Sequence, residues 1–276
     1  MTDTIWLSDL HLDAVKEEYR LRFYHRLRKT PGERVVISGD ISDGRNLSLH
    51  LSELAESVAP RPVYFVLGNH DFYGSSFQEV HRLLEVRCKK HSNLHHLGHG
   101  EIVSLGANEA LVGHGGWSDG RAGHGVKSKV RNPDFWSIKD FQGMSRAACY
   151  QKIRRLGQES GMYLRQILPY TLTCYRQVWV ATHFPTFTQA AWWNGKLCNY
   201  DFQPHYTNLS MGYALWAMSS AFPKSKMTVL AGHTHSAVCI SIKENLAIHT
   251  AGASPGYPSY QVPSVDLAAS TGASKT

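Results

Sequence analysis

The chain has 276 residues, of which 42% are hydrophobic, and its formal net charge is +7. This is enough for one large α/β domain with a sizeable core, and the sequence contains no apolar run of about 18 residues that would span a membrane. Five widely spaced cysteines without a C-x-x-C pair argue against a disulfide framework or a thiolate zinc site, and the basic charge favours anionic ligands.

Apolar runs alternate with amphipathic stretches in the first ninety residues. Strands are predicted at 4–8, 34–38 and 61–67, and helices at 14–29, 47–58 and 77–90. Such alternation predicts parallel strands whose carboxyl ends share one edge of a sheet. A polar cluster follows each of the three strands, so we expect three turns to converge there. No signal region precedes the first strand, so we expect a cytoplasmic protein without a membrane partner.

The rest of the chain contains short strands and one long irregular stretch. Strands are predicted at 94–97, 101–105, 109–113, 177–181, 227–231, 238–242 and 246–250, and helices at 146–168 and up to about residue 222. The three consecutive short strands favour a second, mainly antiparallel sheet, and the last two strands favour a hairpin.

The expected division of the chain is simple. Residues 1–263 are predicted to form a single domain, with a cap-like insertion around 115–170, where glycine is dense and periodicity is poor. Residues 264–276 are small and polar, so we expect a disordered tail or a cloning remnant.

Oxygen and imidazole donors follow five of the predicted strands. They are Asp9, His11, Asp40, Asn69, His70, His183, His233 and His235. Carboxylates and imidazoles without thiolates suit Mn²⁺, Fe²⁺/Fe³⁺, Zn²⁺ or a similar first-row ion. Without His70, the remaining ligands are still too many for one tetrahedral ion. We therefore expect two ions that share Asp40, which stands alone on its turn.

The motifs D-x-H, G-D, G-N-H-D, a lone His after a strand and G-H-x-H, in this order, resemble those of the calcineurin-like metallophosphoesterases. The resemblance covers residues 9–235 and implies a four-layer α-β-β-α sandwich with two mixed central sheets. One implied metal site consists of Asp9, His11, Asp40 and His235, and the other consists of Asp40, Asn69, His183 and His233. The resemblance further implies that Asn69 and His70 bind the substrate, and that Asp71 orients His70 for catalysis.

The implied activity is hydrolysis of a phosphodiester, or of a phosphomonoester, by a hydroxide that bridges two divalent metal ions. Two such ions and two aspartates leave a charge of about +2, which a hydroxide and a diester monoanion neutralise. This sum favours diesters, and the basic charge and the aromatic segment 192–206 favour a small nucleotide-like substrate. A metal-dependent nuclease acting on DNA or RNA is the alternative. The full ligand set argues against a third option, a non-catalytic scaffold.

Other side chains carry weaker signals. For His114, near Trp117 and Asp119, we favour loop packing over catalysis. A group of four histidines without metal-ligand spacing is expected on a solvated edge: His91, His95, His96 and His99. His205 is the best candidate for supporting a metal ligand.

Two further groups have alternative interpretations. The aromatic residues either line the pocket and stack on a base, or pack between the sheets; they are Trp192, Trp193, Tyr200, Phe202 and Tyr206. Three arginines, Arg146, Arg154 and Arg155, are expected on a solvated helix face.

Overall fold

The computed structural model describes residues 3–254 and 256–259. A first sheet contains four parallel strands in chain order: β1 (Thr4–Leu7), β2 (Arg34–Ser38), β3 (Val63–Val66) and β4 (Leu94–His96). Three helices cover its outer face: α1 (Glu17–Lys29), α2 (Leu47–Val58) and α3 (Phe77–Lys90). The alternation predicted for the first ninety residues is therefore confirmed.

A second sheet lies against the inner face of the first. Its strands are β5 (Val103–Gly106), β6 (Glu109–Gly113), β7 (Gln177–Ala181), β10 (Lys226–Ala231), β11 (Val238–Lys243) and β12 (Leu246–Thr250). Their spatial order is β11-β12-β10-β7-β6-β5. The outer helices here are α5 (Arg146–Cys174) and α7 (Leu209–Ala221). Short elements complete the chain: α4 (Asp134–Ser137), the hairpin of β8 (Trp192–Trp193) and β9 (Lys196–Leu197), and α6 (Gln203–Tyr206).

The central strands are apolar throughout because both of their faces are buried. In β2, Val35 and Ile37 belong to the core beneath the outer helices, whereas Val36 belongs to the core between the sheets. In β7, Val180 belongs to the core beneath the outer helices of the second sheet, whereas Trp179 belongs to the core between the sheets. Successive side chains of a strand point to opposite faces, so one apolar run serves two cores. The predicted four-layer α-β-β-α sandwich is confirmed.

The prediction of a mainly antiparallel second sheet is wrong. β4 pairs with β3 in the first sheet, and β6, β7, β10 and β12 are parallel neighbours. Among the described strands of this sheet, only the edge pairs β5–β6 and β11–β12 are antiparallel, and the second of these is the predicted hairpin. Consecutive short strands favour hairpins locally, but β6 pairs with a strand far along the chain, which a local pattern does not reveal.

The helix α5 continues beyond its predicted end at residue 168, with Pro169 inside it. Proline lacks the N–H for one helical hydrogen bond. Leu168 and Leu172 nevertheless pack in the core under the second sheet, and this burial favours continuing the helix. Arg154 and Arg155 lie on its exposed face, as predicted.

The expected cap-like insertion has two structurally different parts. Residues 115–145, which we call the irregular stretch, contain only α4 and short 3-10 turns, whereas α5 belongs to the outer layer. The domain division itself stays a prediction, and residues 264–276 lie outside the described residues. Across the part of the chain that the structure describes, no helix is both long and apolar enough to cross a membrane.

Candidate metal centre

The donor atoms of the predicted metal ligands meet at the carboxyl edge of the two sheets. We call Asp9, His11 and His235 the first cluster. His11 Nε2 lies 3.2 Å from His235 Nε2, and His235 Nε2 lies 3.4 Å from Asp9 Oδ1. Ligand atoms about 2.1 Å from one ion lie roughly 3.0–3.4 Å apart, so this spacing fits a single cation.

A second cluster consists of Asn69, His183 and His233. Asn69 Oδ1 lies 3.2 Å from His183 Nε2 and 3.0 Å from His233 Nδ1, and the two ring nitrogens are 3.3 Å apart. These distances also fit one cation. Within the described residues, the groups whose donor atoms lie close enough to hold a metal all belong to this edge of the molecule.

Asp40 lies between the two clusters. Its Oδ2 atom is 3.7 Å from His11 Nε2 and 3.3 Å from His183 Nε2, so one oxygen faces both. The other oxygen, Oδ1, accepts a hydrogen bond of 2.9 Å from the His70 backbone N–H. The carboxylate is buried and therefore depends on these partners. This is the geometry expected of the shared ligand, so the donor set fits two cations.

The backbone of this edge is unusual. Five of the predicted ligands have a positive φ, between 42° and 72°: Asp9, His11, Asp40, His233 and His235. Among the described residues, Asn194 is the only other non-glycine with this conformation. Side chains disfavour the left-handed region, and such conformations concentrate at functional sites.

Backbone carbonyls orient two of the ligand rings. His183 Nδ1 donates to the Ser38 carbonyl at 2.9 Å, which leaves Nε2 for a metal. His233 Nε2 lies 3.2 Å from the His205 carbonyl, which leaves Nδ1. Such partners fix the tautomer and the ring plane of a metal ligand. His205, the residue predicted to support a ligand, thus contacts one through its backbone.

The electrostatics of the edge favour cations. Burial opposes ionisation of Asp40, but the neighbouring His183, His70 and His11 outweigh it and hold the pKa of this carboxyl well below its usual value. Burial likewise opposes a charge on His183, but Asp40 outweighs it and raises the pKa of the ring to about 9. The negative field that attracts a proton to His183 also attracts a divalent cation.

His70 lies beside the first cluster and is half-buried. Its ring centroid is 4.6 Å from that of His11, and Tyr73 stacks against its other side at 4.1 Å and 27°. One donor atom of His70 lies within 4.8 Å of those of His11 and Asp40. The ring is therefore close enough to contact a group bound at the clusters.

Asp71 is placed differently from our expectation that it orients His70. Its carboxylate accepts backbone hydrogen bonds from Ile41 and Ser42, both at 2.9 Å, and from Gly68 at 2.8 Å. These bonds tie together the turns after β2 and β3, which carry Asp40 and Asn69. The Tyr73 ring stacks on that of His70 and so restricts its plane. A catalytic role of Asp71 stays a prediction.

Two members of the aromatic segment lie next to metal ligands. The Trp193 ring is 5.8 Å from that of His235, and the Tyr206 ring is 5.0 Å from that of His233. Trp193 is 39% exposed, on the β8–β9 hairpin. Tyr200 instead packs against His124, away from the clusters. The segment therefore contacts the two clusters through these two residues.

The solvated edge predicted for four histidines is only partly present. His95 and His99 are exposed, but His96 is half-buried and lines a cavity of about 210 Å³ together with His114. Burial lowers the pKa of His96 to about 3 and that of His114 to about 4. His114 Nδ1 accepts the Gly116 N–H at 2.9 Å, which agrees with loop packing.

The sequence did not indicate which residues form hydrogen bonds with the Asn69 side chain. Asp134 of the irregular stretch accepts hydrogen bonds from Asn69 Nδ2 at 2.9 Å and from the Tyr73 hydroxyl at 2.8 Å. Neither hydrophobic periodicity nor a position at a strand end marks Asp134. Its relation to Asn69 exists only in the folded chain.

Comparison with known proteins identifies the family. The calcineurin-like phosphoesterase family profile matches residues 4–237, and the chain belongs to this family. A comparison with curated proteins gives no match. Among solved structures, a dimetal phosphatase from Danio rerio has a TM-score of 0.56 and 14% identity, over 90% of this chain and 87% of its own.

Two further solved structures are similar at lower scores. One, from Thermus thermophilus, has a TM-score of 0.48 and 12% identity, covering 90% of this chain and 88% of its own. The other is a 5'-nucleotidase from Candida albicans, with a TM-score of 0.44 and 12% identity, covering 91% of this chain and 46% of its own. Family membership confirms the resemblance seen in the sequence and makes the protein a metal-dependent hydrolase of phosphoester bonds.

Proposed function

We propose that the protein is a dinuclear phosphoesterase that hydrolyses phosphodiesters, and phosphomonoesters less well. The observation that carries this proposal is the position of Asp40 Oδ2 between two complete ligand clusters. When bound, two divalent cations acidify a water molecule for attack and polarise the phosphoryl oxygens. The side chains around them hold the cations, the substrate and the transferred proton in place.

Charge balance supports a diester. Two divalent cations bring about +4, and ionised Asp9 and Asp40 bring about −2. A diester carries one negative charge, whereas a monoester carries up to two near neutral pH. The attacking hydroxide adds a further −1, so a monoanion brings the sum to about zero and a dianion brings it to about −1. The monoanion is therefore the better match for the site.

His70 is the side chain best placed to exchange a proton with the substrate. Its backbone is fixed by the hydrogen bond to Asp40, and its ring is held between those of His11 and Tyr73. A histidine in this position contacts a phosphoryl oxygen or protonates the leaving oxygen, a role worth about 10²–10⁴ in rate.

Two aromatic side chains beside the clusters support a nucleotide-like substrate. Trp193 exposes part of its ring next to the ligand His235, and Tyr206 lies beside the ligand His233. Bases stack on such rings with about 1–3 kcal/mol each. A base attached to the scissile phosphate would be within reach of this surface.

A substrate panel tests the proposed function. The Mn²⁺-loaded protein is assayed with bis(p-nitrophenyl) phosphate, p-nitrophenyl phosphate, cyclic nucleotides and nucleic acids, and bound metal is counted by elemental analysis. We expect two Mn²⁺ per chain and faster turnover of the diester than of the monoester. Asp40→Asn removes the shared charge and should reduce diester turnover at least about 1,000-fold. Glu244→Gln, on an exposed turn, is the control.

Two results would contradict this proposal. A chain that takes up neither metal nor cleaves any ester would be a scaffold. Faster cleavage of nucleic acids than of small esters, with a steep loss of activity as salt rises, would instead identify the nuclease alternative.

The role of His70 is tested with two leaving groups. His70→Ala should slow hydrolysis of a phenyl diester by about 10²–10⁴ and of the p-nitrophenyl diester much less, because p-nitrophenolate leaves without a proton. His25→Ala, exposed on α1, is the matched control. An unchanged rate on the phenyl ester would remove the assignment.

A further inference from the structure

A carboxylate of the irregular stretch forms a hydrogen bond with a ligand of the second cluster. We propose that Asp134 is a positioning residue that fixes the Asn69 amide, so that its carbonyl oxygen faces His183 and His233. Asp134 Oδ1 accepts a hydrogen bond of 2.9 Å from Asn69 Nδ2, and both residues are buried. The inference rests on the proposed function, in which the second cluster holds a cation.

The amide of an asparagine needs such a partner to act as a metal ligand. A rotation of about 180° exchanges its oxygen and nitrogen, and only the oxygen binds a cation. Asp134 Oδ1 accepts hydrogen bonds from both Asn69 Nδ2 and the Tyr73 hydroxyl, so the Asn69 carbonyl oxygen lies on the opposite side of the amide. On that side, Asn69 Oδ1 lies 3.0 Å from His233 Nδ1. The rotated amide would place its oxygen against the carboxylate, which is unfavourable.

Asp134 is itself held in place. Asn132 Nδ2 donates to Asp134 Oδ2 at 3.2 Å, and the Asp134 N–H donates to Asn132 Oδ1 at 3.1 Å. The segment that follows Asp134 is docked on the turn before α3. The Gly74 N–H donates to the Ser137 carbonyl at 2.7 Å, and the Lys139 N–H donates to the Ser75 carbonyl at 2.9 Å. The carboxylate therefore stays beside Asn69 unless this docking is broken.

The same oxygen of Asp134 also orders the surroundings of His70. The Tyr73 hydroxyl donates to Asp134 Oδ1 at 2.8 Å, and the Tyr73 ring stacks on His70. One carboxylate thus fixes both a metal ligand and the side chain that packs against the proposed proton donor. Outer partners of metal ligands typically change metal affinity by about 10–100-fold when they are removed.

Mn²⁺ affinity measured by calorimetry on the full chain tests the inference, because it does not depend on turnover. Two backgrounds separate the clusters: His235→Ala keeps the second cluster intact, and His183→Ala keeps the first. We expect Asp134→Ala to weaken Mn²⁺ binding about 10–100-fold in the His235→Ala background. In the His183→Ala background, the affinity should change by less than about threefold.

Two variants test whether the carboxylate itself matters. Asp140→Ala is the matched control, because Asp140 anchors the same segment to the Phe77 N–H at 2.8 Å and touches neither cluster in the described structure. It should lower the thermal unfolding midpoint without changing Mn²⁺ affinity. Asp134→Asn keeps an acceptor oxygen and should recover part of the affinity. If Asp134→Ala does not fold, Asp134→Asn carries the test, with an expected loss of about three- to tenfold.

Three outcomes would overturn the inference. The positioning role is removed if Asp134→Ala leaves the Mn²⁺ affinity of the His235→Ala background unchanged. Where Asp134→Asn replaces Asp134→Ala, the same result with that variant removes the role. An equal loss from Asp140→Ala would assign the effect to docking of the segment. If the unaltered chain binds no Mn²⁺, the proposed function fails and the inference fails with it. The first two outcomes leave the proposed function intact.

Discussion

The two clusters differ in how their ligands are held in place. Each cluster has one half-buried histidine, His235 in the first and His233 in the second, and its other ligands are buried. In the second cluster the remaining polar atom of each ligand has a fixed partner, namely Asp134 for Asn69, the Ser38 carbonyl for His183 and the His205 carbonyl for His233. Among the described residues, no such partner holds the second ring nitrogen of His11 or His235.

This difference indicates a division of roles between the clusters. Ligands that are already oriented lose little conformational freedom when a metal binds, so the second cluster should bind its cation more tightly. The first cluster lies beside Trp193 and His70, which are well placed to contact a substrate. The second cluster would then keep its metal, while the first cluster exchanges substrate and product.

Two glycine substitutions should separate the clusters most strongly. A Cβ on Gly68 would overlap Asp40 Oδ1 and lie 2.7 Å from His183 Nε2, so Gly68→Ala displaces the shared ligand. A Cβ on Gly232 would overlap the Ser8 and Asp9 side chains, so Gly232→Ala displaces a ligand of the first cluster directly. It reaches the second cluster only indirectly, through the His233 N–H that donates to Asp9 Oδ1. We expect bound Mn²⁺ to fall from two to below one per chain for Gly68→Ala and to one for Gly232→Ala, with turnover reduced at least about 1,000-fold in the former.

Gly143→Ala controls for the general cost of adding a methyl group. A Cβ at this position meets no atom within 4 Å, although its φ of 76° is strained for alanine. Stability should therefore fall without any change in bound metal. Equal metal loss in Gly68→Ala and Gly232→Ala would show that the clusters do not bind independently.

The difference in Mn²⁺ affinity between the two clusters is a smaller expected effect than the loss of metal. Calorimetric titration with Mn²⁺ should resolve two steps that differ about 10–100-fold in affinity. His183→Ala should remove the tighter step and His235→Ala the weaker one, because the second cluster has the better oriented ligands. His25→Ala should leave both steps unchanged. The reverse assignment would contradict the division of roles.

The candidate ligands could be found in the sequence because their signal is local. An apolar run followed directly by Asp9 or by Asn69 indicates a strand end, and parallel strands bring such ends together. The family resemblance then divided the ligands between two metals, and the distances in the structure agree with that division. The layers of the sandwich were implied by the same resemblance, and the apolar runs agree with them, since strands buried on both faces are apolar throughout.

Other parts of the site depend on contacts between distant segments. Asp134 lies in a stretch without periodicity, and its meaning comes only from its hydrogen bond to Asn69. Asp71 has a local position suited to orienting His70, but backbone N–H groups of two turns occupy its carboxylate. The order of the second sheet was missed for the same reason, because β6 and β7 pair across a long intervening segment.

The smallest expected effect concerns Trp193, beside the first cluster. Trp193→Ala should raise KM by about 5- to 150-fold for p-nitrophenyl thymidine phosphate, since stacking of one base contributes about 1–3 kcal/mol. Methyl p-nitrophenyl phosphate has the same leaving group but no base, so its KM should stay unchanged. Trp216→Ala, 48% exposed on α7, is the matched control. An equal rise in KM for both esters would mean that Trp193 supports His235 and does not bind the base.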